Sequence, residues 1–120
     1  MGIQSYRDLH AWKHARRLTA RIYRLTGKPP LSKDFGLRDQ MQRAAVSVMS
    51  NIAEGFGRHQ PREFLRFLTY AKGSAVELQS QLFVALDAGY ISESTFDAAF
   101  SATEETIKLV AGLIRQLKQS

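Results

Sequence analysis

Cysteine is absent from the 120 residues, so neither a disulfide framework nor a thiolate metal site can form. Long apolar runs are missing too: the richest stretch, Ala44 to Ala53, is too short and too polar to cross a bilayer. The opening MGIQSYRDLH has no apolar signal core. Tyr6 stands where an N-myristoylation signal needs Ser or Thr. Acidic residues are scarce in the first half. Residues 1–62 carry 12 Lys/Arg against 4 Asp/Glu, whereas residues 63–120 carry 5 against 7. These absences exclude a membrane span and a cysteine-based site, and they lead us to expect a cytoplasmic protein. A basic half attracts polyanions.

What is present fits one ordinary domain over residues 1–120, with 44% apolar and 23% charged residues. Turn signals divide it. Gly27-Lys28-Pro29-Pro30 is a stop followed by a rigid connection, Gly57 to Pro61 is a second break, and Gly89-Tyr90 ends a third segment. Ser92 is placed to cap a fourth. No stretch combines strand alternation with hairpin turns, so the fold class is all-α. Helices are expected from about Leu9 to Leu25, Leu37 to Phe56, Arg62 to Ala88 and Thr95 to Leu117. Each carries apolar residues at three- and four-residue steps, such as Leu18, Ile22 and Leu25 in the first. Short connections join neighbours antiparallel, giving an up-down-up-down four-helix bundle. A three-helix domain with a swapped arm is less economical. The third and fourth helices carry more apolar residues than one stripe needs, either as deep core or as a subunit interface. Phe83 and Leu113 are the best interface candidates.

The hairpin of helices two and three centres near Gln60. Antiparallel register then pairs Ile52 with Leu68, Val48 with Ala71, Ala45 with Ala75, and Met41 with Leu78. The same register sets Ser47 opposite Gly73, a close approach of small residues. It also puts Arg43 near Glu77 and Glu54 near Arg66, two ion pairs forming a structural clasp. Stranding one partner would cost about 3–5 kcal/mol if the pair is buried and about 1 or less if it is exposed.

QMQRAAVSVMSNIAEGFGR and EFLRFLTYAKGSAVELQSQL resemble the two most characteristic helices of a bacterial four-helix-bundle protein family. YRDLHAWKHARRLTARIYRLT is similar to its first helix, and LDAGYIS to its third turn. That family includes proteins encoded by intervening sequences in large-subunit ribosomal RNA genes. It is related to accessory proteins of diversity-generating retroelements. The family pattern has two basic residues before the Ala-Ala pair, where Gln42-Arg43 supplies one. The resemblance implies a four-helix bundle, a ring-shaped homopentamer, nucleic-acid association and no established enzymatic activity. A reverse transcriptase or another RNA-handling protein is a partner of the kind it implies.

The residues themselves point the same way. On a helix of about 100° per residue, Lys13, Arg17, Arg21 and Arg24 fall within an arc of about 80°. Arg16 flanks them, His10 and His14 lie beside them, and Lys28 extends the row. Like charges at these spacings repel, so their accumulation wants a reason: nucleic acid is favoured over a solvated face or protein partner, and a membrane surface comes last. Such a ridge can neutralise phosphates without reading sequence. His10 and His14, four apart, lack the further ligands a zinc site needs, so no metal is expected. Glu54 and Glu77 have no nucleophile beside them, and GFGR lacks the spacing of a phosphate-binding loop. No cofactor is expected, and Trp12 reads as core rather than as a base-stacking platform. The function expected is non-enzymatic binding of nucleic acid, RNA favoured, by a self-associating protein. The alternative is a protein-interaction scaffold or adaptor.

Overall fold

A computed structural model describes residues 2–119. It contains α1 (His10–Thr26), α2 (Phe35–Gly57), α3 (Pro61–Asp87) and α4 (Glu93–Lys118), with 3-10 turns at Tyr6–Asp8 and Leu31–Lys33. No strand occurs among the described residues. Each boundary has a local cause. The Asp34 carboxylate accepts the Leu37 N–H at 3.1 Å, so α2 starts ahead of the expected Leu37. Ser92 accepts the Thr95 N–H at 3.1 Å and starts α4 at Glu93. Pro61 occupies the first turn of α3, where its missing N–H is not needed. Gly89, at φ +78°, turns the chain away from α3.

Successive helices run antiparallel, and α4 closes on α1. Thr19 donates to the Ala45 carbonyl at 3.1 Å, and Gln42 donates to the Thr26 hydroxyl at 2.9 Å, which ties α1 to α2. The Tyr90 hydroxyl donates to Asp34 at 3.0 Å and holds the α3–α4 turn to the start of α2. That hydrogen bond, with the carboxylate charge behind it, raises the tyrosine pKa. Ile52, Leu68, Val48, Ala71, Ala45, Ala75, Met41 and Leu78, the four expected cross-helix pairs, are all completely buried. Leu68 is therefore core, and Leu109 and Leu113 lie half-buried against the same core. Phe83 is 48% exposed, with its ring against Phe96 at 4.9 Å and Phe100 at 5.6 Å.

Among the described residues the two expected ion pairs of the clasp do not form, although Arg43 and Glu77 stand at one cleft. Ser47 meets Ser74 at 2.9 Å rather than Gly73, and Gly73 faces open space. A shift of one residue turns a helix by about 100°, enough to move Gly73 out of the interface and Ser74 in. The tight approach lies instead at Gly55, where a Cβ would stand 2.6 Å from that of Phe67. Glu54 pairs with Arg58 at 3.0 Å, and Arg66 pairs with Glu63 at 2.9 Å, in place of Glu54 with Arg66. Neighbours three and four positions away on the same or the adjoining turn are nearer than the facing helix. The hydrogen bond from Arg66 holds the Glu63 carboxyl below its ordinary range, and Glu63 raises the Arg66 pKa in return. Arg43 and Glu77 are both exposed and line a shared cleft without a direct ion pair.

Unfolding measured by circular dichroism separates three substitutions. Gly55→Ala loses about 1–3 kcal/mol, because the new methyl meets the root of a fixed ring. Gly73→Ala gains about 0.5–1 kcal/mol from helix propensity alone. Equal effects at the two sites would refute this placement of the close contact. Glu77→Gln changes stability by less than about 0.5 kcal/mol; a larger loss restores the clasp with Arg43.

Candidate nucleic-acid interface

The ridge on α1 follows from what the opposite side of the helix must bury. Ala11, Ala15, Leu18, Ile22 and Leu25 face the core. Thr19 fixes the helix about its axis by donating to Ala45 on α2 as well as to Ala15, at 2.8 Å, on its own helix. Lys13, Arg16, Arg17, Arg21 and Arg24 are then forced outward, and all are exposed, as is Lys28 beyond the helix end. From Lys13 to Arg24 the ridge is roughly 17 Å long at 1.5 Å per residue. That length matches about five nucleotides of one duplex strand at 3.4 Å each.

None of these six cations pairs with a carboxylate among the described residues. The ion pairs lie elsewhere, joining Arg38 to Asp39, Arg58 to Glu54 and Glu63, and Arg66 to Glu63. The Arg17 guanidinium lies 3.1 Å from Nδ1 of His14 and donates to it in the tautomer that leaves that nitrogen unprotonated. His10 and His14 gather no third ligand, and no group of three His, Cys, Asp or Glu suited to a metal occurs among the described residues.

Two clefts flank the ridge and share Arg17. One, of about 440 Å³, lies between α1 and α4 and is lined by His14, Arg17, Arg21, Arg24, Ala102 and Glu105. Glu105 comes from α4, so its approach to the ridge had no signal in the spacing of α1. The other cleft, of about 400 Å³, is lined by Arg7, Trp12, Lys13, Arg16, Arg17 and Ala20. Arg7 is a member that the helix periodicity missed, because it precedes α1 in the 3-10 turn. Its backbone N–H and its Nε both donate to Ser5, at 3.2 and 3.3 Å, which fixes the turn. The local signal is Ser5 two residues ahead of it, a side chain that caps short turns.

The arrangement can neutralise a row of phosphates. It offers no assembled nucleophile and base on α1. Arg43 and Glu77, with Gln40, Ser47 and Ser74, line a separate cleft of about 410 Å³ between α2 and α3. Ser47 and Ser74 satisfy each other there, and neither has a His beside it to act as a base. No helix among the described residues is long and apolar enough to cross a membrane.

No curated protein matches the chain. Among solved structures, a protein of unknown function from the S23 ribosomal protein family of Bacteroides thetaiotaomicron is similar, with a TM-score of 0.80. It is 21% identical, and the alignment covers 87% of this chain and 97% of that one. The likeness establishes the fold. Residues 7–112 match the 23S rRNA-intervening sequence protein family, a span running from Arg7 through most of α4. The chain belongs to that family.

Proposed function

We propose that this is a non-enzymatic, self-associating protein that holds RNA through phosphate contacts along α1. The observation that carries the reading is the row of six exposed cations, Lys13, Arg16, Arg17, Arg21, Arg24 and Lys28, without a carboxylate partner among the described residues. An isolated row of this kind repels itself and lowers the stability of α1 until an anion neutralises it. Phosphate contact releases counterions and supplies affinity independent of base sequence. No Asn or Gln interrupts the row to read base edges. The family's description, which speaks of intervening sequences in 23S rRNA, favours RNA over DNA.

Filter retention of mixed RNA and DNA oligomers at increasing salt tests the reading. With about five phosphates neutralised, the log–log slope is roughly −3.5 on single strands and −4.5 on duplex. Arg17→Glu with Arg21→Glu abolishes retention and leaves the helical circular dichroism intact. Retention that ignores salt, or that survives the double reversal, would overturn it.

Self-association is the second part of the proposal. The outer face of α3 exposes Val76, Phe83 and Val84, each about half accessible. Phe83 extends an aromatic cluster with Phe96 and Phe100 that is covered on one side only. Burying such a face between subunits removes apolar area from water. A ring, the assembly the family resemblance implies, would repeat the α1 ridge and multiply its phosphate contacts. Leu113 is the weaker test site, since it already packs on the core of its own protomer. Light scattering is expected to show an oligomer at micromolar concentration that Phe83→Glu dissociates; a wild-type monomer there removes this part of the proposal.

A further inference from the structure

Trp12 is the protein's single tryptophan. It packs against the core, yet it is only partly buried, and the indole forms one wall of the 400 Å³ cleft beside the ridge. The remaining walls are Arg7, Lys13, Arg16, Arg17 and Ala20, four cations without a carboxylate. Arg16 places its guanidinium 5.9 Å from the indole centroid. Tyr6, itself 36% exposed, stands edge-on to the indole at 5.1 Å.

The fold does not require this grouping. A core residue needs an apolar partner, and an aliphatic side chain could cover the same part of the core. A flat aromatic surface among unpaired cations suits one chemistry in particular: an unpaired nucleotide. Its base has a π-face to stack, and its phosphates need positive charge. A duplex hides those faces inside its own stack and presents only phosphates and base edges. Arg16, exposed and without a carboxylate partner, is free to move outward and close over a base, since guanidinium planes also stack on bases.

We propose that the cleft takes one unpaired base, stacked on Trp12 and covered by Arg16, with the adjoining phosphates on Arg7, Lys13 and Arg17. The ridge then prefers single-stranded RNA to double-stranded RNA. The inference rests on the phosphate-binding reading of α1 and adds strand selection to it.

The lone tryptophan makes the test direct: excited where the four tyrosines do not absorb, its emission reports the surroundings of the indole at the cleft and the core edge. The full chain is titrated with a mixed-sequence single-stranded RNA of about twelve nucleotides, and separately with its blunt duplex, at low salt. Single-stranded RNA quenches the emission and binds about tenfold or more tighter than duplex, within the range that base–aromatic stacking supplies. Trp12→Leu keeps an apolar body for the core and loses that single-strand advantage, while duplex retention stays as in wild type. Trp12→Phe restores part of it. If Trp12→Leu fails to fold, the wild-type titration alone decides. Equal affinity for both RNA forms, with unchanged emission and with both lost in Arg17→Glu, overturns the stacking inference and leaves the phosphate reading standing. Absence of binding to either form sinks the phosphate reading first. Quenching by poly-glutamate as strong as that by RNA assigns the cleft to an acidic peptide and also overturns the inference.

Discussion

Helices α2 and α3 approach closely because small residues stand at their facing positions, and α1 joins them on the same terms. Ala15, Ala45, Ala71 and Ala75 are completely buried and form a waist in a bundle that is 46 Å long and 20 Å across. Larger side chains fill either side of the waist, with Met41, Leu78 and Leu82 at one end and Ile52, Leu68 and Val110 at the other. Backbones packed this near leave no room for a charged side chain between them. The buried polar groups are mostly threonines, and Thr26 and Thr103 return their hydroxyls to carbonyls one turn back, at 2.7 Å each. Hydroxyls satisfied inside their own helix need nothing from a neighbour. Charge is thereby confined to the outer faces, and the way each helix is turned decides which charges stand together.

That constraint distributes charge unevenly. At the α2–α3 turn, Arg58 and Arg66 find Glu54 and Glu63 within one turn of helix. On α1 no neighbour of these cations at three or four positions is acidic, so local pairing is unavailable. Exposed ion pairs contribute only about 0–1 kcal/mol, so lacking them barely weakens the fold. The contrast still matters for partners. Charges already paired at one end offer little to an outside anion, whereas the α1 row offers all of its charge. Glu105 borders the row from α4 without pairing with it, so the positive field there is trimmed rather than cancelled.

Periodicity made the four helices and the core stripes legible, because burying one face of each helix leaves a repeat of apolar residues that any reader can count. It made the α1 cations legible for the same reason, as the complement of that stripe. It could not resolve the hairpin to the residue. Ser47 meeting Ser74 rather than Gly73 is a difference of one position, and side chains at both positions are small enough to satisfy the pattern. Gly55 was the more informative glycine, but only the position of Phe67 on the other helix shows it. Ion pairs were misassigned because Arg66 had a nearer partner on its own helix, at Glu63. Arg7 and Glu105 escaped because one precedes the helix and the other lies on a distant segment that the fold brings back. For Trp12 the sequence favours core over a stacking platform, because an apolar position at a stripe's edge looks the same in sequence whether its ring is covered or not.

Phosphate contacts alone position a nucleic acid without reading its sequence, and they give no advantage to an unpaired strand over a duplex of higher charge density. The α1 surface differs along its length in this respect. Toward Arg21 and Arg24 the cleft offers cations, a histidine, one acid and the aliphatic side chains of Leu18, Ala20 and Ala102, but no indole. Toward Arg7 and Lys13 the same row of charge meets an indole face. Arg17 and Ala20 border both clefts, so a chain of phosphates following the ridge would pass from one to the other past the Arg17 guanidinium. A base stacked at the indole end adds a preference for unpaired strands but none for sequence, since every base has a π-face. Selection by strand state and indifference to sequence are thus compatible on one helix. On the proposed reading the first would come from a single aromatic at the edge of the core, and the second from cations that the core forces outward.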